Sequence, residues 1–430
     1  MENRYDKYKD SGIAWIGEIP EHWEVCSIKQ IMKNKSIKGF PNETVLSLYR
    51  DFGIIPKDSR DDNHNVTSED TSNYKLVENG DFVINKMKAW QGSMAISDFK
   101  GIISPAYYIC KIFSPKVVRK YIHYLLRDES YKAEYMRLST GMRIGQWDLN
   151  IDDFLQINTI LPLLSEQQSI ATYLDQKCGE IDELITMQEE MITKLQSYKQ
   201  SVITEAVTKG LDKNISLKDS GIEWIGEIPE HWICTVFKKF LSEPMQYGAN
   251  EPAEECNYND PRYIRITDIK DDGTLRDDTF KSLPLEKAKE YMLTKGDLLF
   301  ARSGATVGKT FLYKEDYAAC FAGYLIKARC NKNELLPNFV FYYTLSNVYQ
   351  NWKNSIFIQS TIQNIGADKY SVMPIIIPPL SEQQSIANYL DQKCSEIDEL
   401  ISIKQQKIEK LKDYKKSLIF ECVTGKRKVS

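Results

Sequence analysis

The sequence lacks the features that define several protein classes. No stretch approaches the roughly 18 consecutive apolar residues that a membrane-spanning helix needs, and the polar first residues lead into no hydrophobic signal segment. The nine cysteines form no Cys-x-x-Cys pair, and the four histidines are too scattered for a zinc site. These absences predict a cytoplasmic protein with reduced thiols, no membrane association and no bound metal.

Two further absences limit the function. The 56 Lys and Arg residues are balanced by 60 Asp and Glu residues, so the formal net charge is −4. A chain without a basic excess holds nucleic acid through local patches or together with a partner. The sequence also lacks the Asn-Pro-Pro-aromatic motif of amine methylation, a glycine-rich S-adenosylmethionine loop, helicase motifs and a nuclease cluster. We therefore expect no catalysis and no cofactor in this chain.

The chain contains one unit twice. The segment Lys9–Trp23 recurs with one substitution as Lys218–Trp232. A second segment, Leu164–Ile185, recurs almost unchanged as Leu380–Ile401, at an offset of 216 residues. The blocks between these segments differ from each other. A repeated framework around dissimilar blocks predicts one fold that carries two different surfaces.

The repeats divide the chain into leaders, variable blocks and long helices. Because the leader tryptophans are identical in both copies, they cannot distinguish two ligands, and we expect them to pack onto the framework. The leader is also expected to pack near the C-terminal helix. The predicted segments are the leader 1–23, the first block 24–161, the central long helix 162–212, the repeated leader 213–232, the second block 233–377, and the C-terminal long helix with a basic tail 378–430.

The two long helices carry a coiled-coil pattern. Ser165 and Ser381, each followed three residues later by Gln, predict their N-caps. Apolar residues then recur at alternating spacings of four and three, and Lys199 and Lys415 interrupt the two series at equivalent positions, where they would help to fix the register. If the helices pair while each block stays at its own helix end, they run antiparallel; two separate amphipathic helices are the alternative. The predicted core positions are Leu174, Ile181, Ile185, Ile192, Leu195, Val202, Leu390, Ile397, Ile401, Ile408, Leu411 and Leu418.

The repeated motifs resemble those of a known family. Both leaders read Asp-Ser-Gly-Ile-x-Trp-Ile-Gly-Glu-Ile-Pro-Glu-His-Trp, and both helices begin with Ser-Glu-Gln-x-x-Ile-Ala-x-Tyr-Leu-Asp. Each block also contains Gly-Asp followed by three apolar residues, at Gly80 and Gly296. These motifs, in the order block, helix, block, helix, resemble the DNA-specificity (S) subunits of Type I restriction-modification systems over essentially the whole chain.

The resemblance implies an architecture and a function. The fold would be of the α+β class, with two α/β target recognition domains joined by two long helices in an antiparallel coiled coil of pseudo-two-fold symmetry. The chain would read an asymmetric, bipartite sequence of double-stranded DNA without catalytic activity of its own. Two adenine-methyltransferase (M) subunits would dock on the helices, and restriction (R) subunits would join through the complex. Those partners would hold S-adenosylmethionine, ATP and Mg.

Candidate DNA contacts lie on two loops of each block and on nearby basic residues. Arg can pair with guanine and Gln with adenine in the major groove, and Lys and Arg bind phosphates. The candidates are Lys86, Lys88, Gln91, Arg143, Gln146 and Trp147 in the first block, and Arg262, Arg265, Arg302, Ser303, Lys309, Gln359, Thr361 and Gln363 in the second.

Two alternative functions remain open from the sequence. The duplicated framework alone also fits a coiled-coil scaffold that binds protein partners without reading DNA. The segment from Gly304 to Thr310 ends like a Walker phosphate loop, which would make Lys309 part of a nucleotide hydrolase. Only three residues separate its glycines, however, where the Walker loop needs four. A strand–loop–strand that presents polar groups is therefore the favoured interpretation of this segment.

Overall fold

The computed structural model describes residues 4–49, 53–60, 67–68, 70–141, 147–253, 257–270, 273–358 and 364–429. The chain divides into two compact units: unit 1 is Met1–Glu189 with Gln405–Ser430, and unit 2 is Glu190–Lys404. Each unit therefore contains one variable block, its leader, and a part of each long helix.

The elements up to the first long helix belong to the first copy of the repeat. The strands are β1 (Tyr8–Asp10), β2 (Glu18–Pro20), β3 (Glu24–Ser27), β4 (Met32–Lys35), β5 (Leu46–Tyr49), β6 (Gly53–Pro56), β7 (Lys75–Val77), β8 (Phe82–Asn85), β9 (Met94–Ile96), β10 (Gly101–Ile103), β11 (Tyr107–Ile112), β12 (Ser139–Thr140), β13 (Asp148–Leu149) and β14 (Asn158–Leu161). The helices are α1 (Arg119–Arg127), α2 (Glu129–Leu138), α3 (Ile151–Gln156) and α4 (Leu164–Lys209).

The second copy follows a similar order, with fewer strands in the described part of its block. The strands are β15 (Leu217–Asp219), β16 (Glu227–Pro229), β17 (Ile233–Val236), β18 (Gln246–Tyr247), β19 (Arg262–Ile264), β20 (Leu298–Ala301), β21 (Thr310–Leu312), β22 (Ala319–Phe321), β23 (Leu325–Ala328) and β24 (Pro374–Ile377). The helices are α5 (Leu285–Ala288), α6 (Pro337–Leu345), α7 (Asn347–Ile358), α8 (Ala367–Ser371) and α9 (Leu380–Val423).

The block of unit 1 is built on an antiparallel sheet with strand order β4-β11-β8-β9. Side chains alternate between the two faces of β8. Phe82 and Ile84 join the core formed with the helices, while Val83 joins a smaller core with residues of β5, β6 and β10. The pairing of β3 with β14 brings the start and the end of the block together.

The block of unit 2 repeats this plan with the sheet order β18-β23-β20-β21. Leu298 and Phe300 of β20 face the helices, and Leu299 and Ala301 face the second core. Strands β17 and β24 pair as β3 and β14 do. Strands β19 and β22 pair in parallel, and in unit 1 a single parallel bridge joins Val45 to Ile102. The shared sheet and helices confirm the predicted α+β class and the internal repeat.

Both long helices begin one residue earlier than the predicted caps. The first backbone bonds between residues four apart run from the N–H of Gln167 to the carbonyl of Leu163 and from the N–H of Gln383 to that of Pro379. Ser165 and Ser381 therefore lie inside the first turn, and the prediction that they are N-caps is wrong. The glutamines assigned to the capping boxes, Gln168 and Gln384, instead bond one turn along their own helix, to Thr172 and Asn388. In unit 1 the Glu166 carboxylate accepts the Leu163 N–H.

The long helices pair antiparallel within each unit. In unit 1 Asp182 of α4 meets Lys415 of α9, and further back along α4 Leu174 and Cys178 pack in the same core as Leu418 and Cys422. This contact order runs in opposite directions along the two helices and confirms the predicted antiparallel arrangement.

In unit 2 the Lys404 ammonium lies 3.3 Å from the Met191 sulfur, and Lys199 binds Asp398. The antiparallel direction is therefore the same as in unit 1. Each of the twelve predicted core positions is buried or half-buried, and none is exposed.

Candidate nucleic-acid interface

In unit 1 three candidate residues lie on the turn between β8 and β9. A 3₁₀ turn covers Ala89–Gln91, and Gly92 then takes a left-handed conformation, with φ of 77°, that leads the chain into β9. Lys88 is exposed at the start of this turn, while Lys86 and Gln91 are half-buried. The turn thus presents basic and amide side chains at the end of the sheet.

The segment that precedes α3 lies against the same turn. The Leu149 N–H donates to the Lys86 carbonyl at 3.1 Å, and the Lys86 ammonium lies 3.6 Å from the Asp148 carboxylate. The Trp147 and Trp90 rings meet edge to face, with centroids 5.2 Å apart. The structure therefore brings Lys86, Lys88, Gln91 and Trp147 to one place. Arg143 and Gln146 lie outside the described residues.

Unit 2 repeats this backbone arrangement with other side chains. The Ile365 N–H donates to the Arg302 carbonyl at 2.8 Å, and both residues correspond to Leu149 and Lys86 at the repeat offset of 216. Ser303 forms a bridge with Asn364. Gln359, Thr361 and Gln363, predicted on the same segment, lie outside the described residues.

The segment that resembles a Walker loop connects two antiparallel strands. β20 ends at Ala301, a 3₁₀ turn covers Gly304–Thr306, and β21 begins at Thr310. A Walker loop instead leads from a strand into a helix. The strand–loop–strand prediction is confirmed, and the geometry gives no support to nucleotide hydrolysis at Lys309.

Arg302 is held at the edge of this turn by an aromatic ring. Its guanidinium lies over the Tyr247 ring, 4.9 Å from the centroid, a cation–π contact. The Tyr247 hydroxyl accepts the Ala367 N–H at 3.0 Å, which anchors the ring. Arg302 and Ser303 are both half-buried, so a part of each side chain remains accessible to a ligand.

Arg262 and Arg265 are directed into unit 2. Arg262 is only 4% exposed, and its guanidinium donates to the Tyr317 hydroxyl and the Arg276 carbonyl. Arg265 forms two hydrogen bonds with the buried Asp268 carboxylate. These partners hold both guanidinium groups against the protein, although the buried Arg262 Nε has no hydrogen-bond partner among the described residues. These internal contacts argue against the prediction that Arg262 and Arg265 bind DNA.

Sequence reasoning missed two buried glutamines that attach the long helices to the blocks. The Gln167 side chain accepts the Val118 N–H and donates to the carbonyls of Lys116 and Pro162. Gln383 makes the equivalent three bonds in unit 2, to Leu336, Glu334 and Pro378. Both glutamines are completely buried. The signal for these glutamines in the sequence is that both copies of the repeat contain one at the same position. The capping-box interpretation instead gives the role at the helix start to the neighbouring serine and glutamine.

The buried thiols are poor nucleophiles. Burial raises the pKa of Cys110, Cys320 and Cys330 to about 12. These groups therefore stay protonated near neutral pH, whereas the thiolate is the reactive form. Within the described ranges, no cluster of three or more His, Cys, Asp or Glu residues could hold a metal ion. None of the helices described is long and apolar enough to cross a membrane.

Comparison with known proteins identifies the family. The model of the Type I restriction modification DNA specificity domain matches residues 20–194 and 246–413. These two matches cover most of the chain, and the chain therefore belongs to the family of Type I restriction-modification DNA specificity subunits.

Relatives and solved structures agree with this assignment. The chain is similar to two proteins of Methanocaldococcus jannaschii, the putative type I restriction enzyme MjaX specificity subunit (25% identical, 96% of each chain) and the MjaVIII specificity subunit (26% identical, 96% of this chain and 94% of the other). Its fold is similar to a structure described as the structural basis of complex assembly and conformational transition of the type I R-M system (TM-score 0.71, 16% identity, 94% and 98% coverage). It is also similar to the HsdS subunit from Thermoanaerobacter tengcongensis (TM-score 0.52, 15% identity, 95% and 98% coverage).

Proposed function

We propose that this chain is the non-catalytic, cytoplasmic DNA-recognition subunit of a Type I restriction-modification complex. Each unit reads one half of an asymmetric, bipartite target in double-stranded DNA. One observation carries this proposal. The same backbone hydrogen bond, Leu149 to Lys86 in unit 1 and Ile365 to Arg302 in unit 2, holds the same pair of segments together.

The side chains on this common scaffold differ between the units. Unit 1 presents Lys88 and the half-buried Trp147, and unit 2 presents Arg302 and Ser303. Because bases are distinguished by the hydrogen-bond groups that meet them, two such surfaces select two different short sequences. The chain as a whole has no excess of positive charge to bind the phosphates of DNA, since its net charge is −4. Partner subunits therefore share the contacts with the phosphate backbone of the DNA.

The long helices carry equivalent exposed apolar patches, which support docking of two identical partners. In unit 1 we define this patch as Leu184 and Met187, one turn apart on α4, together with Tyr414 of α9; the three residues are 42%, 52% and 51% exposed. Exposed apolar groups that cluster on a surface mark interaction sites.

In unit 2 the corresponding residues at the repeat offset are Leu400, Ile403 and Tyr198, which are 48%, 53% and 56% exposed. We assign one methyltransferase subunit to each patch, with restriction subunits joining through the complex. S-adenosylmethionine, ATP and Mg belong to these partners.

Mapping of methylated adenines in cells that express this chain with its methyltransferase tests the proposal. The expected result is one bipartite motif with two different halves and a constant gap. Methylation that is absent, or that shows no sequence preference, would favour the scaffold alternative. A mobility shift with a library of split targets and the purified complex gives the same decision in vitro.

A block exchange tests the modular assignment. Replacing residues 24–161 with the block of another family member should change one half of the methylated motif and leave the other half and the gap unchanged. Replacing 233–377 should change the other half. A change in both halves from a single exchange would contradict the assignment of one unit to each half-site.

A further inference from the structure

The backbone of Arg302 is held on both sides at the end of β20. Its N–H donates to the Tyr324 carbonyl at 3.0 Å, and its carbonyl accepts the Ile365 N–H at 2.8 Å. The carbonyl of the preceding residue, Ala301, accepts a hydrogen bond from the buried Tyr370 hydroxyl at 2.8 Å. The Arg302 side chain therefore starts from a fixed position on unit 2.

The Tyr247 ring beneath the Arg302 guanidinium is itself held in place. Tyr247 lies on β18, which pairs with β23 of the same sheet. Its hydroxyl accepts the Ala367 N–H, and a Cβ added to Gly366 would lie only 3.3 Å from that hydroxyl. The ring is thus fixed at its base and packed at its tip. A side chain that is ordered before it binds loses less conformational entropy on binding.

The chemistry of a guanidinium group selects one base. The group carries N–H donors and no acceptor. In the major groove guanine presents two neighbouring acceptors, O6 and N7, whereas adenine and cytosine each present an amino donor, and thymine presents one acceptor beside a methyl group. Packing over a ring leaves the in-plane N–H groups of an arginine available to such a pair of acceptors. Arg302 is half-buried, so a part of its side chain is accessible.

Unit 1 has the same backbone bonds but a different side chain at the equivalent position. The Lys86 N–H donates to the Ala106 carbonyl at 3.2 Å, in the same way as the Arg302 N–H in unit 2. The Lys86 ammonium lies 3.6 Å from the Asp148 carboxylate, and the residue of unit 2 at the position of Asp148 is Asn364. The two units therefore offer different hydrogen-bonding groups from one backbone position, as two different half-sites require.

We infer that Arg302 and Tyr247 form a guanine-reading pair in unit 2. Arg302 donates to O6 and N7 of one guanine from the major groove, and Tyr247 is a positioning residue that holds the guanidinium for this contact. The inference rests on the proposed function and extends it, because it names the base and the side chain that selects it. The half of the motif that unit 2 reads therefore contains a guanine.

Mobility shifts with the full chain in complex with its methyltransferase test the pair. The exchange of residues 233–377 first identifies the half-site of unit 2, and each guanine in that half is then replaced with adenine. At one guanine, the replacement should weaken binding by the wild-type complex about 5- to 150-fold. Arg302→Ala should bind the original site more weakly and should no longer distinguish the two bases at that position.

Base analogues locate the contact on the guanine. The analogue 7-deazaguanine lacks the N7 acceptor, and inosine lacks only the amino group that faces the minor groove. The wild-type complex should lose affinity for the first probe and keep it for the second. Arg302→Ala should bind both probes as it binds guanine. A loss with inosine and none with 7-deazaguanine would place the contact in the minor groove and overturn the inference.

Two substitutions at Tyr247 test its positioning role. Tyr247→Phe keeps the ring and should keep most of the preference for guanine. Tyr247→Leu removes the ring and should reduce this preference about 2- to 5-fold, with preferences at the other positions unchanged. A purely structural role would weaken binding to all targets alike. The same guanine preference in both variants would contradict the positioning role.

Lys239→Ala is the charge control, because it removes an exposed positive charge from unit 2 and should leave the base preferences unchanged. Unaltered reading of the other half-site shows that each variant is folded. A guanine preference that survives in Arg302→Ala, or a half-site of unit 2 without guanine, would overturn the inference and leave the proposed function intact. A wild-type complex that binds DNA without sequence preference would instead refute the proposed function.

Discussion

The Lys415 ammonium of α9 contacts both carboxylate oxygens of Asp182 on α4 at 2.6 Å. In unit 2 Lys199 binds Asp398 in the same way at 2.7 Å, and all four residues correspond through the repeat offset. Both lysines occupy positions in the apolar series where the other members are buried or half-buried. Each lysine side chain extends to a carboxylate at the edge of the helix interface. This carboxylate neutralises the lysine charge in one register of the two helices.

The coupling between Lys415 and Asp182 should be small but measurable. A double-mutant cycle with Lys415→Ala and Asp182→Ala is expected to give about 0.2–1 kcal/mol, because the lysine is 29% and the aspartate 57% exposed. Urea unfolding of the four proteins measures this coupling. Lys412→Ala is the control, since Lys412 pairs with Glu409 on its own helix. The same coupling in the control cycle with Asp182 would contradict a specific contact.

The apolar patches predict the stoichiometry of the complex. Met187→Asp in unit 1 should remove one of two bound methyltransferase subunits, and Ile403→Asp in unit 2 should remove the other. The double variant should bind none, because a buried unpaired carboxylate is costly at an interface. Native mass spectrometry counts the subunits. Gln196→Asp adds the same charge at another exposed position of α4 and should bind two; loss of binding there would contradict the assignment of the patches.

His123 of α1 should make unit 1 sensitive to mild acid. Burial and the nearby Arg127 lower its pKa from 6.5 to about 3. Because the folded pKa lies below the unfolded one, the stability contributed by the neutral imidazole is complete above pH 6.5 and is lost as the pH falls below it. The loss between pH 7 and pH 5 should be on the order of 1–2 kcal/mol.

Unfolding free energies measured at both pH values test this prediction. His123→Gln should remove this part of the pH dependence. Arg127→Ala should reduce it without abolishing it, because burial is the larger cause of the shift. An unaltered pH dependence in His123→Gln would assign the acid sensitivity to other groups.

The leader tryptophans should affect stability more than DNA recognition. Trp23 and Trp232 are fully buried, and replacing either with Ala should cost about 3–5 kcal/mol. Trp224 is 38% exposed, so Trp224→Ala should cost much less and serves as the control. Thermal unfolding and the methylated motif are the measurements. A changed motif in a folded tryptophan variant would show that the leader reads bases.

The parts of the fold that depend on local sequence were predictable. The heptad series and the repeated helix start placed α4 and α9 to within a few residues of their observed bounds, because helical periodicity is local. The Gly-Asp motif likewise located β8 and β20 in the two blocks. The antiparallel direction followed from connectivity alone.

The parts that depend on distant partners were not predictable. Arg262 resembles a DNA ligand in the sequence, but Tyr317 and the Arg276 carbonyl direct it inward. The role of Gln167 depends on backbone groups about fifty positions away. The partners of Arg262 and Gln167 cannot be identified from the sequence, because only folding brings them together. The sequence therefore predicts the candidate site as a pair of loops. Which of their side chains are accessible to a ligand depends on the folded structure.

The leaders reach equivalent places by different routes. In unit 2 Gly210 ends α4 and lies against Trp232, and the chain continues directly into the leader. In unit 1 Gly425 lies against Trp23, and the Tyr8 hydroxyl donates to its carbonyl at 3.0 Å. Non-covalent contacts thus replace a peptide connection. Each leader is therefore held at the end of a long helix by its own packing contacts, whether or not a short peptide segment also joins the two.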